Sequence, residues 1–283
     1  MSLRINTNID ALTAYRNLTT TQTSMSQSVE RLSSGLRINK AADDAAGLAI
    51  SQGLTAQING IGQAVRNSQD GINVVQTADG ALTEVQSILQ RVRTLTVQGA
   101  NDSNDANARG DITTEITALG SELDRIKSTT SFNGTNLLDG TANLSFQVGS
   151  ASGSSNQISV DLTSGGTNKV DLSSGTLLSG AAALSSASTA SAFNAALGDL
   201  DTSIQNVSTL RANLGAIQNR FQHTINNLSV TQENLQASNS SIVDTDMAQE
   251  MSNYSRTQIL SQAGTSMLKQ ANSAAQSVLS LLQ

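Results

Sequence analysis

Few residues of this chain could do chemistry, and they do not form a catalytic set. The sequence contains a single histidine, His223, and no cysteine, which excludes thiolate chemistry and a zinc site built on two histidines. Ser266 and Lys269 have S-x-x-K spacing, but the SDN and KTG motifs that accompany it in serine-based acyl transfer are absent. Asp43 and Asp44 are adjacent carboxylates at a predicted helix start, where their negative charges interact favourably with the helix dipole. We expect no enzymatic activity.

A calcium-loop pattern and a dinucleotide pattern are both incomplete. The stretch 105–116 matches a calcium loop at positions 1, 3 and 6, but positions 5 and 12, which need oxygen ligands, hold Arg109 and Ile116. A G-x-G pair at Gly60 and Gly62 has neither the third glycine nor the preceding strand of a dinucleotide site. We therefore expect no metal ion and no cofactor.

The composition favours long helices with weakly charged surfaces. The 283 residues include no proline, although average usage would give roughly fourteen. Because proline breaks helix interiors, its absence permits long uninterrupted helices. Charged residues make up 13% of the chain, about half the usual share. The net charge of −6 argues against nucleic acid as a partner.

The hydropathy of the chain gives no membrane span and no secretory leader. No run of about 18 apolar residues occurs. The first ten residues lack the apolar core and the small-residue cleavage site of a secretory signal. If the protein leaves the cell, we expect a route that cleaves no signal peptide.

The elements that organise the chain are its two ends, which carry apolar residues at heptad-like spacing. On both ends these residues recur at intervals of three, four or seven. This spacing predicts one narrow apolar stripe on each helix, as in a coiled coil. We predict that the stripes form a self-assembly seam, packed against each other and against neighbouring copies. The predicted seam residues are Leu18, Met25, Val29, Leu32, Leu36, Leu260, Ala263, Met267, Ala271, Val278 and Leu281.

Between the ends, the first half of the chain is predicted to be helical. Residues 42–100 have a helical apolar period, and their glycines predict either local breaks or bends, or close approach of neighbouring backbones in an assembly. Asn101–Gly110 predicts a loop, and Asp111 is the predicted N-cap of the following helix. That helix has apolar residues at 112, 116, 119, 123 and 126.

The centre changes to strand periodicity before helical spacing returns. Alternating apolar residues in 144–148, 158–162 and 170–172 predict short strands. Phe132-Asn133-Gly134 predicts a turn, and the Ser/Ala-rich stretch 173–191 predicts a surface connection. Helical spacing resumes at Phe193 and continues to the end, with a joint predicted at 243–247. The predicted fold is mainly α: an elongated antiparallel helical bundle or coiled coil with paired terminal helices and a small central β-hairpin region.

Long segments in both halves of the chain resemble bacterial flagellin. In the first half these are RINTN (4–8), LSSGLRINKAADDAAGLAIS (32–51), DGINVVQTADGAL (70–82), QRVRTLTVQGAN (90–101) and SFNGTNLL (131–138). In the second half they are LGAIQNRFQHTINNL (214–228), NLQASNSSIVDTDMAQEMS (234–252) and QILSQAGTSMLKQAN (258–272). The resemblance covers nearly all of the chain outside 140–190.

This resemblance implies a structural subunit that self-assembles into the helical flagellar filament used for motility. It implies an inner filament-core domain made of residues 1–41 and 246–283. Residues 42–245 would form the outer helical-bundle domain, with the β-hairpin region at about 132–190. Two alternatives share the end motifs: a hook–filament junction protein, and a secreted effector that uses flagellin-like ends for export.

The resemblance also implies partners and a location. Flagellins are exported without a cleaved signal peptide through the flagellar type III apparatus, and a chaperone holds their C-terminal helices. They polymerise beneath a cap protein, on hook–filament junction proteins, to form an extracellular filament. The residues that match the contacts of the Toll-like receptor for flagellin are Arg91, Leu95 and Glu115.

Overall fold

The computed structural model describes residues 8–163, 173–185 and 188–280, with side chains described up to residue 273. Within these residues the chain is mainly helical, which confirms the predicted class. The helices are α1 (Ile9–Ser34), α2 (Ala45–Gly99), α3 (Ala106–Thr129), α4 (Ser174–Leu177), α5 (Ala190–Val243) and α6 (Met247–Ser280). The strands are β1 (Ser131–Phe132), β2 (Thr135–Asn136), β3 (Asn143–Gln147) and β4 (Gln157–Asp161).

The chain divides into two compact units, which are described separately. One unit contains both chain ends, Met1–Ala56 and Asn234–Gln283, and the other is Gln57–Glu233. The helices α2 and α5 contribute residues to both units. No helix among the described residues is long and apolar enough to cross a membrane.

In the unit of the chain ends, α1 and α6 form an antiparallel helical hairpin. The side chain of Asn8 caps α1 by accepting a hydrogen bond from the Ala11 amide at 3.0 Å. Gly35 ends the helix with φ of 72°, and its amide donates to the Arg31 carbonyl at 2.8 Å. Leu36 then forms an antiparallel bridge with Asp244, which joins the end of α1 to the α5–α6 joint predicted at 243–247.

In the unit Gln57–Glu233, one apolar core lies between α2, α3, α5 and the β3–β4 ribbon. The apolar period predicted for α2 is confirmed, because Leu82, Val85, Leu89 and Val92 are all fully buried. The predicted face of α3 is buried as well, with position 119 only half-buried. Strands β3 and β4 pair antiparallel, as their alternation predicts.

The loop before α3 is shorter than predicted, and the predicted cap Asp111 is wrong. The helix begins at Ala106, and Asp105 is its N-cap, with a side chain that accepts from the Ala108 amide at 2.8 Å. Asp111 therefore lies inside the helix. Asp105 and Asp111 are both aspartates near the start of the helical pattern. The sequence alone does not decide which of the two caps the helix.

The segment predicted as a surface connection contributes to the core. It contains the short helix α4, and Leu177, Leu178 and Ala181 are buried. Two adjacent leucines in a Ser/Ala-rich stretch have no periodicity, so the pattern of the sequence does not predict their burial. The strand predicted at 170–172 lies outside the described residues.

Candidate self-assembly surface

The inward faces of α1 and α6 form a seam in which small or hydroxyl-bearing residues alternate with a few large side chains, and we call it the hairpin seam. Its members are buried or half-buried and follow one another at alternating spacings of three and four. This is the period of a coiled coil. On α1 they are Ala11, Ala14, Leu18, Thr21, Met25, Ser28 and Leu32. On α6 they are Glu250, Tyr254, Thr257, Ser261, Gly264, Leu268 and Ala271.

Three contacts fix the register of the hairpin seam. The Asn8 side-chain amide donates to the Ala271 carbonyl at 2.9 Å. A Cβ added at Gly264 would lie 3.2 Å from Cδ1 of Leu18, so the glycine permits close approach of the two helices. Arg31 faces Glu250, with 3.8 Å between Nη1 and Oε2.

The other faces of the same two helices carry large exposed apolar side chains, and we call these the outward rows. Within the described stretches of α1 and α6, nine such residues keep between 47% and 66% of their surface exposed. They are Ile9, Leu12, Tyr15, Val29, Met247, Met251, Ile259, Leu260 and Met267. Large apolar side chains that are exposed together on one element mark an interaction site.

The structure divides the predicted seam residues between these surfaces. Those that lie in the hairpin seam are Leu18, Met25, Leu32 and Ala271. Leu36 is half-buried just beyond α1, and the exposed members are Val29, Leu260, Ala263 and Met267. Each of the three exposed residues on α6 directly precedes a residue of the hairpin seam. The side chain of Val278, and Leu281 altogether, lie outside what the structure describes.

The difference lies mainly on α6, because the prediction places large apolar residues on the inward side, and on α1 Leu18, Met25 and Leu32 do lie there. On α6 the inward positions are instead occupied by small residues such as Ser261 and Gly264, while the larger Leu260 and Met267 face outward. The three-and-four spacing of small residues is the signal in the sequence that could identify the hairpin seam.

Threonine hydroxyls on α1 are satisfied within the helix itself. Thr19, Thr20 and Thr21 each donate to the carbonyl four residues earlier, at 2.9–3.1 Å. A threonine whose hydroxyl is bonded in this way presents mainly its methyl group to the surroundings. Covering such a surface therefore strips few hydrogen bonds from water.

Asp43 and Asp44, the adjacent carboxylates, serve the backbone between α1 and α2. Asp43 accepts hydrogen bonds from the amides of Lys40 at 3.0 Å and Asn39 at 3.1 Å, and these bonds lower the pKa of Asp43. Asp44 accepts from the Gly47 amide at 2.9 Å, at the start of α2. Both side chains are therefore structural.

The other candidate reactive residues are not brought together. Ser266 and Lys269 are exposed on α6, and the Ser266 hydroxyl donates to the Gln262 carbonyl of its own helix. His223 lies in an open groove beside Arg220, with Asn156 on the facing loop. Among the described residues, no group of three or more His, Asp or Glu side chains is placed to hold a metal ion.

Two of the three receptor-matching residues are ion-paired with each other. Arg91 on α2 donates to Oε1 of Glu115 on α3 at 2.6 and 2.8 Å, and both side chains are about half exposed. Leu95 is only 3% exposed and belongs to the core. A macromolecule approaching this surface therefore meets the ion pair before it meets the leucine.

Comparison with known proteins gives matches at both ends of the chain. Residues 5–143 match the bacterial flagellin N-terminal helical region, and residues 197–282 match the bacterial flagellin C-terminal helical region. The flagellin of Halalkalibacterium halodurans is 48% identical over 280 residues and is covered to 99%, as is this chain. The flagellin of Bacillus subtilis is 46% identical over 310 residues, covering 99% of this chain and 100% of the relative.

A solved structure supports the fold. It is described as that of a candidate flagellar hook-associated protein from Vibrio parahaemolyticus, and it superposes with a TM-score of 0.58 at 16% identity. The match covers 71% of this chain and 100% of that one. At this identity the likeness concerns the fold alone.

Paired end helices that carry exposed apolar rows are the surfaces that a structural protein needs in order to assemble through its chain ends. The chain belongs to the bacterial flagellin family. It is a structural subunit of the extracellular flagellar filament, which serves motility, and it is not an enzyme. The full-length matches do not favour the hook–filament junction protein or the secreted effector.

Proposed function

We propose that the outward rows of α1 and α6 are the surfaces through which neighbouring subunits of the filament contact one another. The observation that carries this proposal is the exposure of nine large apolar side chains on the two helices that pair the chain ends. Fully burying one such side chain contributes about 1.5–3 kcal/mol. Because these residues are already about half covered, each gains roughly 1 kcal/mol on assembly.

The direct test replaces two adjacent outward residues, Ile259 and Leu260, with asparagine. Their loss removes roughly 2 kcal/mol per subunit, which raises the critical concentration for polymerisation by about thirtyfold. Replacement of Gln262 with asparagine is the matched control, since Gln262 is exposed on the same helix and already polar. Sedimentation of filaments at increasing protein concentration measures the effect. An unchanged critical concentration, with unchanged helix content of the monomer by circular dichroism, contradicts the proposal.

The outward rows also bear on the partners that the chain meets before it joins the filament. We propose that an export chaperone covers the outward row of α6, that the filament cap receives the chain at the tip, and that the hook–filament junction proteins carry the first subunits. Exposed Ile259 and Leu260 support this role, since apolar surface of this kind associates prematurely if nothing masks it. The I259N/L260N chain should bind the purified chaperone more weakly than the Q262N chain. Equal binding of both would remove the support.

We further propose that the protein is exported without loss of a signal peptide. The likeness of the chain to flagellins over 99% of its length supports this route. Mass determination of the filament protein tests it, and a mature chain that begins well inside α1 would contradict it.

The division into domains is proposed as 1–41 with 246–283 inside the filament and 42–245 outside. The grouping of both chain ends into one compact unit supports this division, although the unit extends to Ala56 and begins again at Asn234. Limited proteolysis of filaments should spare 1–41 and 246–283 and attack the exposed loops of the remainder. Cleavage of the ends at equal rates in filaments and monomers would argue against it.

Recognition by the Toll-like receptor for flagellin is proposed to use Arg91 and Glu115 directly, with Leu95 acting only through the packing beneath them. The exposure of the ion pair and the burial of Leu95 support these different roles. Replacing Arg91 with alanine should weaken receptor activation by the monomer in a reporter assay. The control is Arg125→Ala, which removes an equally exposed arginine paired with Glu122 within α3. Equal losses in the two variants would contradict a specific contact.

A further inference from the structure

The turn between β1 and β2 places an asparagine and a glycine in an open, two-residue connection. Ser131 pairs with Asn136 and Phe132 with Thr135, so only Asn133 and Gly134 join the strands. Their φ angles are 48° and 80°, as expected for the Asn-Gly turns that close tight hairpins. The ribbon has two residue pairs, and ribbons this short are marginal by themselves.

The groups of this turn are free to react with each other. Asn133 and Gly134 are exposed, and no hydrogen bond of the Asn133 side-chain amide is found in the described part of the chain. A Cβ added at Gly134 would have no atom within 4 Å. The turn is therefore exposed to solvent and uncrowded by the described residues, and the short ribbon opens at small cost.

The chemistry open to this pair is an intramolecular substitution. The Gly134 backbone nitrogen loses its proton to hydroxide and attacks Cγ of Asn133. A new C–N bond closes a five-membered imide, the bond from Cγ to Nδ2 breaks, and Nδ2 leaves as ammonia after taking a proton from water. Water then adds to either carbonyl of the imide. Opening on one side gives aspartate, and opening on the other gives isoaspartate, in which the backbone runs through the former side chain.

The sequence supplies an internal comparison, because it contains one other Asn-Gly pair, Asn59-Gly60. Asn59 is exposed like Asn133, but the pair lies inside α2. There the Gly60 amide belongs to the hydrogen-bond ladder of the helix. A Cβ at Gly60 would lie 2.9 Å from Cβ of Ser150, so the glycine is also crowded. The two pairs share their chemistry and the exposure of the asparagine, and they differ in backbone constraint.

We propose that Asn133 is a site of spontaneous deamidation in the folded subunit, converting to aspartate and isoaspartate with release of ammonia, while Asn59 is preserved by α2. Either product adds a negative charge at the turn. Isoaspartate also adds a backbone carbon to a connection that has room for only two residues. Leu137 and Leu138, directly after β2, are fully buried. A longer turn therefore displaces β2 relative to the core residues that follow it.

The experiment incubates the purified full chain at mildly alkaline pH and follows both Asn-Gly peptides by mass spectrometry. An isoaspartyl methyltransferase assay detects the isomerised product. The Asn133 peptide should deamidate at least about tenfold faster than the Asn59 peptide, a ratio equivalent to about 1.4 kcal/mol of additional opening cost in the helix. The rate at Asn133 should rise with pH, since the attacking nitrogen must lose its proton.

Two controls make the result decisive. In denaturant both peptides should convert at similar rates, because each asparagine is then followed by an unconstrained glycine. The Asn133→Asp chain lacks the amide, so it should release no ammonia from this peptide. Equal rates at the two sites in the folded chain overturn the proposal. So does conversion of Asn133 only after unfolding.

Discussion

Replacing Gly71 with alanine tests how tightly α2 and α5 approach each other in the core. A Cβ at Gly71 would lie 2.5, 2.8 and 2.9 Å from three carbon atoms of the Phe221 ring. Phe221 is fully buried and packs edge-on against Phe146, with ring centroids 5.6 Å apart and planes at 88°. The ring therefore has no free space into which it could move.

The size of the effect follows from two opposing contributions. Overpacking a filled core costs about 1–3 kcal/mol, whereas alanine improves on glycine inside a helix by about 1 kcal/mol. The net change for Gly71→Ala is a loss of about 0–2 kcal/mol. Gly80, in the same helix, has no atom within 4 Å of an added Cβ. Gly80→Ala should therefore raise the free energy of unfolding by up to about 1 kcal/mol.

Urea unfolding of the monomer, followed by far-ultraviolet circular dichroism, separates the two variants. We expect their free energies of unfolding to differ by about 1–3 kcal/mol, with Gly71→Ala the less stable. Phe221→Leu should cost less stability in the Gly71→Ala chain than in the unchanged chain, because the smaller side chain relieves the contact with the added methyl group. Equal stabilisation by Gly71→Ala and Gly80→Ala would refute the tight packing of the Phe221 ring against α2.

Two further changes test polar contacts within the same unit. Arg211 on α5 donates to Asp79 at 2.8 Å and to Gln86 at 2.7 Å, both on α2. Arg211→Ala should therefore lower the free energy of unfolding in urea by about 1 kcal/mol. Arg211→Lys keeps the charge but not the branched guanidinium, so it should recover only part of this loss, and full recovery would show that the second hydrogen bond contributes nothing. Asp124 accepts hydrogen bonds from the side chain and backbone of Ser174, which lower the pKa of Asp124 below its ordinary value of 3.8. The Asp124 carboxylate therefore contributes fully to stability above pH 3.8, and this contribution is lost as the pH falls through its pKa in the folded chain. The difference in free energy of unfolding between Asp124→Asn and the unchanged chain should therefore shrink in acid. A difference independent of pH would contradict this assignment.

The core of the unit Gln57–Glu233 could be predicted from the sequence because large apolar residues mark its faces. The period through Leu82, Leu89 and Val92 predicts both the existence of α2 and its buried side. The glycines of α2 do not interrupt the helix, which runs without a break from Ala45 to Gly99. At Gly71 the glycine permits close approach, but not of a neighbouring backbone in an assembly, which is the approach that the sequence predicts. The approaching group is an aromatic ring of the same chain, which periodicity cannot identify.

The terminal hairpin is harder to predict because eight of its fourteen inward residues are Ala, Ser, Thr or Gly. A stripe of Ala, Ser, Thr and Gly has little hydrophobic contrast with its surroundings, so the apolar pattern selects Leu260 and Met267 for the inward side in place of Ser261 and Leu268. A shift of one residue along a helix rotates a side chain by about 100°. Such a shift is decided by the fit between two helices, as at Gly264 and Leu18.

The self-bonded hydroxyls of α1 have a consequence for the waters in which the filament can operate. Surfaces made of methyl groups and satisfied hydroxyls, with few charged side chains, associate through forces that dissolved ions barely screen. Among the described residues, the one ion pair that joins α1 to α6 is that of Arg31 with Glu250. The 3.8 Å between its charged atoms makes it a weak one. If subunits meet through the outward rows, as proposed above, the polymer keeps nearly the same cohesion in dilute and in saline media, so a swimming cell can cross between them without losing its filament.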